Sequence, residues 1–588
     1  MARRGRTRAA AGRGSPAVRP APAGGATPDA SHPHALERAR RPLKDLTVRH
    51  PVIVALALAA LHVVLALLTF EPQPHTGGDN AAYISLARSL LERGAYVELW
   101  DPAQRPHTKY PPVFPGILAI ALAAGLKPFV QLKLVVLAFS ATAVAFSFLW
   151  IRARARPMLA LGIGLLLAVA PGVLREGRWI LSDVPFWCFT MIALWAFQNT
   201  RPDEWKHFAI AAVAVLLAYF TRSAGLPLAL AGLGWLAWRR HWRQFAVLAV
   251  LILVPAALWW LRGRAFGPAG YVSEFWLIDP YRPDAGTIGI GDLFARVFEN
   301  QRKYVALHLP ILIGGMQSAW LHLLGILAFG LAFFGWALRV WRRRGTASDG
   351  MERIGVAELF MPLYLGLIFV WPAVWSGERF LLPVLPLLLF YAGDLMSRLF
   401  RRFATRHAFV AGAATVLLIL MLATPGLARG LEVGRACTAL YRAGDRYPCL
   451  GGAHWDDFFA LAEWTRTALP PDAVVLSRKP RLYYVLSGRR GVIYPSSSDP
   501  GRFFETVRQT GARYVVYDAL GGLSETYLRP VVAGRPESFC LIRVVEPSGT
   551  ALLGILPDGS TRAQASDGAT FSVCDDSFVP GAAAASAP

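Results

Sequence analysis

Uninterrupted apolar runs constrain this chain more than any other feature. A hydrocarbon core about 30 Å thick is crossed by roughly 20 helical residues rising about 1.5 Å each. Residues 51–70 and 129–151 meet that length without a charged interruption at their centres. With 54% of the 588 residues hydrophobic and only 17% charged, the apolar residues come in blocks rather than at the spacing of a half-buried surface helix. A soluble globule is excluded, and the expected class is a mainly α, polytopic bundle of transmembrane helices.

The net charge of +23 would point to nucleic acid in a soluble protein. Here its location gives it another meaning. Residues 1–50 hold eleven Lys and Arg against Asp29, Glu37 and Asp45, in an Ala, Pro, Gly and Arg-rich stretch. It is expected to be a disordered basic cytoplasmic arm. Its basic lead is too long for a signal peptide, so the first apolar run is expected to stay as an anchor. No nucleic-acid partner is expected.

Five later loops concentrate positive charge: Arg152/Arg154/Arg156, Arg201/Lys206, Arg239/Arg240/Arg243, Arg339/Arg342/Arg343/Arg344 and Arg398/Arg401/Arg402/Arg406. Basic loops stay on the cytoplasmic side, which sets the orientation of the spans between them. The segment 111–126 conflicts with this pattern if it crosses. With Pro112 and Pro115 near its start and about 24 Å of helix at most, it is too short to do so. It is expected to be juxtamembrane, within a first outer loop of residues 71–128. The remaining runs, near 157–174, 184–200, 207–221, 225–238, 243–262, 317–338, 358–375, 378–393 and 407–424, bring the expected total to about eleven spans. The N-terminus is then inside and the C-terminus outside.

That division makes 51–424 the membrane domain and 425–588 an extracytoplasmic tail with a disordered Ala-rich end. Cys437, Cys449, Cys540 and Cys574 form an even set in the region expected to be oxidising, and four unpaired thiols are the plain alternative. Of three pairings, Cys437 to Cys449 and Cys540 to Cys574 are expected. Helical stretches at 455–468 and 500–511 alternate with β-rich runs at 473–476, 514–518 and 539–545, so the tail reads as a small α/β domain. Its acidic pairs, Asp456/Asp457 and Asp575/Asp576, have neither a glycine loop nor a histidine partner and read as solvated surface.

Polar residues gather in the expected outer loops. Gly77-Gly78-Asp79 precedes an amphipathic stretch in which Tyr83, Ile84, Ala87, Leu90 and Leu91 share a face opposite Arg88, Glu92 and Arg93. Such a helix is expected to lie in the membrane interface, with Asp79 at its N-terminus. An N-cap is the plain role for Asp79, but a capping carboxylate is also ionised and able to accept a proton. Asp183, in Leu181-Ser182-Asp183-Val184-Pro185-Phe186, has the same two readings. Lys109, in Thr108-Lys109-Tyr110-Pro111-Pro112, is either a snorkelling interfacial lysine or a phosphate contact. Arg222 and Arg379 occupy outer turns, where they can pair with acids, touch lipid or bind phosphate.

The order Gly78-Asp79, amphipathic helix, Lys109-Tyr110-Pro111-Pro112, then Ser182-Asp183-Val184-Pro185 and Glu378-Arg379-Phe380-Leu381-Leu382-Pro383, resembles the GT-C glycosyltransferases, above all their protein-mannosyltransferase and aminoarabinose-transferase group. The resemblance spans residues 51–402. It implies an inverting transfer from a polyprenyl-phosphate-linked sugar donor to an extracytoplasmic protein, lipid or glycan acceptor, in the plasma (inner) membrane. It further implies that Asp79 and Asp183 match the two loop acids, that Lys109 matches a donor-phosphate contact, and that Arg222 and Arg379 can complete the phosphate site. The histidine cluster that supports a metal in some members is not evident, so a divalent cation is the one cofactor left open. A transporter or flippase of lipid-linked sugars, or a polymerase or ligase of them, is the rival class. Transporters ordinarily carry internal repeats and charges near the bilayer midplane, and neither is clear here.

Overall fold

The computed structural model describes residues 45–201, 204–266, 270–342, 354–403, 408–556, 572–574 and 576–579. The expected arm up to residue 44, Arg343, Arg344 and Arg406 of the basic loops, and Asp575 lie outside them.

Among the described residues the membrane part is mainly helical. Its elements are α1 (Pro51–Leu68), α2 (Gly78–Arg93), α3 (Val113–Ala123), α4 (Val130–Arg152), α5 (Pro157–Val169), α6 (Pro171–Glu176), α7 (Asp183–Asn199), α8 (Trp205–Thr221), α9 (Leu226–Trp238), α10 (Trp242–Ala265), α11 (Gly270–Trp276), α12 (Asp292–Lys303), α13 (Leu309–Gly314), α14 (Ala319–Arg342), α15 (Val356–Val370), α16 (Leu385–Phe403) and α17 (Ala408–Arg442). Among the described residues five stretches are long and apolar enough to cross a membrane unaided: Pro51–Leu68, Val130–Arg152, Trp242–Ala265, Ala319–Trp341 and Leu417–Arg442. The spans expected near 157–174, 207–221, 225–238 and 358–375 are shorter apolar helices, that near 184–200 is the 17-residue α7, and that near 378–393 is the turn Glu378–Leu381 followed by the 19-residue α16. The helix α3 has 11 residues, about 16 Å, as its two prolines foretold. The run expected at 157–174 is broken. Ala170 turns out of helical geometry before Pro171, and the chain restarts as α6.

Three features differ from the sequence-based expectation. First, α17 runs through Pro425 to Arg442, 35 residues or about 52 Å, so the last apolar helix continues past the expected tail boundary. Second, α2 is covered on two sides over most of its length rather than half-exposed. Residues 80–87 are all buried, because α3 covers one side and a tail helix covers the other. Third, neither expected N-cap is one. Gly77 precedes α2 without a side-chain cap, and Ser182 takes that place before α7. Asp79 and Asp183 therefore have their carboxylates free for tertiary partners.

In the tail, α18 (Ala453–Ala468), α19 (Pro480–Ser487), α20 (Pro500–Thr510) and α21 (Arg529–Gly534) surround a five-stranded sheet of β1 (Val475–Leu476), β2 (Tyr514–Tyr517), β3 (Phe539–Val545), β4 (Thr550–Ile555) and β5 (Ser572–Val573). The spatial order is β1-β2-β4-β3-β5, with β1 and β2 parallel, β4 antiparallel to both β2 and β3, and β5 parallel to β3. The strand β4 was not foreseen: all six of its residues are buried, so it shows no alternation between faces. Disulfides join Cys437 to Cys449 and Cys540 to Cys574, the expected pairs.

Helix ends sort into two groups. At one end of the bundle, Arg154 after α4 meets Gln198 near the end of α7 and Glu358 at the start of α15, and Arg339 near the end of α14 meets Glu358 and Asp394. The starts of α4 and α7, the end of α8 and the turn Glu378–Leu381 share the other end, where the candidate residues lie.

Candidate functional site

Asp79 is delivered by a loop held from beneath. Lys133, in the first turn of α4 and 1% exposed, donates to the carbonyl oxygens of Glu71 and Gln73. Its ammonium lies 4.8 Å from the centre of the Trp179 ring, and Arg178 pairs with Glu71 at 3.2 Å. His75 packs edge-on against the same Trp179. Burial and the Arg379 cation lower the His75 imidazole to about 4, so it is neutral near physiological pH.

From that loop, Asp79 enters the site as the second residue of α2. Its Oδ1 accepts a hydrogen bond from the Tyr110 hydroxyl at 2.9 Å, and its Oδ2 faces Arg379 Nη2 at 3.3 Å. Burial on its own would raise this carboxyl. Arg379, the Tyr110 hydroxyl, Arg481 and Arg222 outweigh it and hold the group at about 2.

Asp183 opens α7 and takes Arg222 Nη1 at 2.8 Å, with Arg379 Nη1 further off at 3.9 Å on the same oxygen. Arg222 is extended beyond the end of α8 and also donates to Ser182 Oγ at 3.0 Å. The tight turn after it needs Gly225. A β-carbon there would stand 2.7 Å from the Tyr219 Cα, a backbone contact that cannot yield cheaply. Phe380 holds the two guanidinium groups apart, its ring 5.2 Å from Arg222 and 4.9 Å from Arg379. Ser182 Oγ also hydrogen-bonds the Tyr83 hydroxyl at 2.7 Å, tying α2 to the start of α7.

Four of the five candidate residues thus form one cluster: Asp79, Asp183, Arg222 and Arg379. Lys109 stands apart from it. Its ammonium is paired with Glu274 of α11 at 2.6 Å and flanked by the rings of Tyr271 and Trp375, at 5.1 and 5.2 Å. An aromatic rim continues from there through Trp371 and Tyr281.

Several participants escaped sequence reasoning. Tyr110 was read only as part of a motif, and its hydroxyl is a direct partner of Asp79. Arg481 of α19 donates to that hydroxyl at 3.3 Å from 371 residues away. Behind Arg379, the Glu378 carboxylate pairs with Arg175 and faces His308 Nδ1 at 3.4 Å. Burial pushes the neighbouring Glu176 carboxyl up to about 7, against the pull of Arg175 and with the repulsion of Glu378. The helix α19, eight residues long, was not foreseen from the sequence. Among the described residues no group of three or more His, Cys, Asp or Glu is placed to hold a metal ion.

No family model matches the sequence, and no curated protein matches it either. Solved structures do. ArnT from Cupriavidus metallidurans bound to undecaprenyl phosphate superposes with a TM-score of 0.54 at 16% identity, covering 85% of this chain and 98% of that one. The same protein in the apo state gives 0.52 at 14% identity, over 85% and 97%. The apo oligosaccharyltransferase of Archaeoglobus fulgidus gives 0.51 at 13% identity, over 86% and 74%. The chain has the GT-C fold. In that GT-C frame, the Asp79 cluster occupies the end of the bundle covered by the tail.

Proposed function

We propose that this protein is an inverting glycosyltransferase that moves a sugar from a polyprenyl-phosphate carrier to an acceptor hydroxyl on the extracytoplasmic face of the plasma (inner) membrane. The observation that carries this reading is Arg379 standing between Asp79 and Asp183, at 3.3 and 3.9 Å, with Arg222 on Asp183 at 2.8 Å. Two carboxylates and two guanidinium groups converge from four separate chain segments at one end of an apolar bundle. The fold shared with ArnT in its undecaprenyl-phosphate complex supports a donor of that class. The sequence-based expectation of about eleven crossings, with the basic loops inside, supports an outer position for the cluster.

The chemistry follows from the charges. The donor's phosphate competes for Arg379 and Arg222, whose planar guanidinium groups suit paired phosphate oxygens. When Arg379 turns to phosphate, Asp79 loses the partner that most depresses its carboxyl and becomes a stronger base, still aimed by Tyr110. The acceptor oxygen then attacks the anomeric carbon through an oxocarbenium-like state. Its proton passes to Asp79 as the bond from sugar to phosphate breaks, and polyprenyl phosphate leaves with the electron pair against Arg222 and Arg379. Asp183 keeps Arg222 in place for that departure. Lys109 joins the phosphate site if the donor displaces Glu274.

The test is incubation of purified protein in detergent with labelled polyprenyl-phosphate sugars and extracted acceptors. Product should form and should fall by about 10² to 10⁴ in Asp79→Asn, which keeps the size of the side chain but removes its charge. Intact donors throughout, together with sugar-lipid translocation in vesicles that survives Asp79→Asn, would establish the carrier instead.

A further inference from the structure

The tail carries no catalytic motif of its own, yet one of its side chains reaches the base. Arg481 lies in the first turn of α19, and α19 packs on α2, the helix that bears Asp79. The Arg481 guanidinium stacks over the rings of Trp100 and Tyr110, at 5.0 and 5.8 Å. A backbone bond from Gly491 N to Trp100 O, at 2.7 Å, anchors the tail to the same outer loop. Arg481 Nη1 donates to the Tyr110 hydroxyl at 3.3 Å, and that hydroxyl donates to Asp79 Oδ1 at 2.9 Å.

The direction of this relay is set by chemistry. Arginine has donors and no acceptor, so the phenol cannot spend its single proton on Arg481. It must accept from Arg481, and its proton is left for the carboxylate. We infer that the tail completes the transfer site, with Arg481 as a positioning residue that orients the Tyr110 hydroxyl and through it the Asp79 carboxylate. A chain of donors of this kind polarises each member toward the anion at its end.

Asp79 is faced by other groups as well. Arg379 and Arg222 approach from the membrane domain, Tyr83 from its own helix, Tyr271 from α11, Tyr281 from the segment after α11, and His75 from the segment before α2. From the tail, Lys479 stands beside Arg481, its ammonium lowered by burial and by Arg478. Arg481 lowers the Asp79 carboxyl by its charge, as Arg379 and Arg222 do, and differs from them in also reaching it through a hydrogen-bonded intermediary.

The inference rests on the transferase reading for its kinetic arm only. Arg481→Met keeps the stem over Trp100 and removes the donors, so kcat should fall about tenfold with donor KM within about twofold. Arg481→Lys should recover part of the loss, and it serves as the test if Arg481→Met does not fold. In a Tyr110→Phe background, Arg481→Met should cost less than about twofold more, because the intermediary is already gone. A second readout needs no turnover: difference infrared spectroscopy against each Asp79→Asn counterpart reports the Asp79 ionisation. It should move up by about one pH unit in Arg481→Met. Equal kinetic losses in both backgrounds, or an unmoved Asp79 titration, would overturn the inference. A wild type that transfers no sugar while the titration still shifts would overturn the transferase reading and leave the relay standing.

Discussion

Two ionic clusters sit at opposite ends of the same bundle, and they are built differently. At the end formed by Arg154, Glu358, Arg339 and Asp394, the side chains are 0 to 16% exposed, and Glu358 receives Arg154 at 2.6 Å and Arg339 at 3.5 Å. Two buried cations meet two acids, and the more exposed Arg398 adds a third cation on Asp394 at 2.8 Å. At the other end, Asp79 and Arg379 keep 37% and 26% of their side-chain surface and meet at only 3.3 Å, while Asp183, at 4% exposure, is held tightly by Arg222. Arg481 and Lys479 add positive charge there from the tail. A closed network serves to hold helices in register. An open one with a loosely held arginine is suited to an anion that arrives and leaves.

That contrast can be broken from either side. The largest effect is expected at the closed end: Glu358→Ala leaves Arg154 and Arg339 buried without their shared acid and should cost about 3 to 5 kcal/mol of stability. Thermal unfolding in detergent would show it as a large loss, whereas any surviving folded protein should keep its donor affinity. A small loss would make this cluster as dispensable as a surface pair and blur the distinction.

At the open end, Arg379→Met should behave in the opposite way. Stability changes little, donor binding weakens roughly tenfold to a hundredfold, and the acid limb of kcat/KM moves upward. The sign is fixed by the depressed Asp79 carboxyl, which stays ionised down to about pH 2 while Arg379 faces it. Without that cation, protonation begins at higher pH and the base is lost sooner as pH falls. An acid limb that does not move would separate Asp79 from the rate.

The smallest effect is expected at Lys109, because Glu274 already neutralises it. Lys109→Ala should weaken donor use by a few-fold, and Glu274→Gln should strengthen it by a similar factor by freeing the ammonium. Steady-state measurements with a single labelled donor check both. A Lys109→Ala loss as large as that of Arg379→Met would move Lys109 into the central cluster.

Much of the architecture was legible from local pattern. Apolar runs marked where the helices form, the prolines of 111–126 shortened α3, and the even set of four tail cysteines formed the two expected pairs. The carboxylates and arginines stood out because a charged residue in the turn between two apolar runs has few plain roles. Their partners did not stand out. Lys109 and Glu274 are 165 residues apart and Tyr110 and Arg481 are 371 apart, and no periodicity links either pair.

The amino-acid sequence by itself therefore determined the solvent of this protein, its helix-forming segments and the residue types able to handle a phosphate and a proton. Transfer from water to an apolar medium acts on each segment separately, so it can be read segment by segment. Tertiary structure alone decided that α2 is packed between α3 and a tail helix, that Asp79 serves Arg379 and Tyr110 rather than its own helix end, and that the tail reaches the site through Arg481. Each of these depends on how close two distant segments come. An ångström-scale difference in helix packing decides whether a charged group is paired, idle or part of a site, and no local property of the chain encodes that distance.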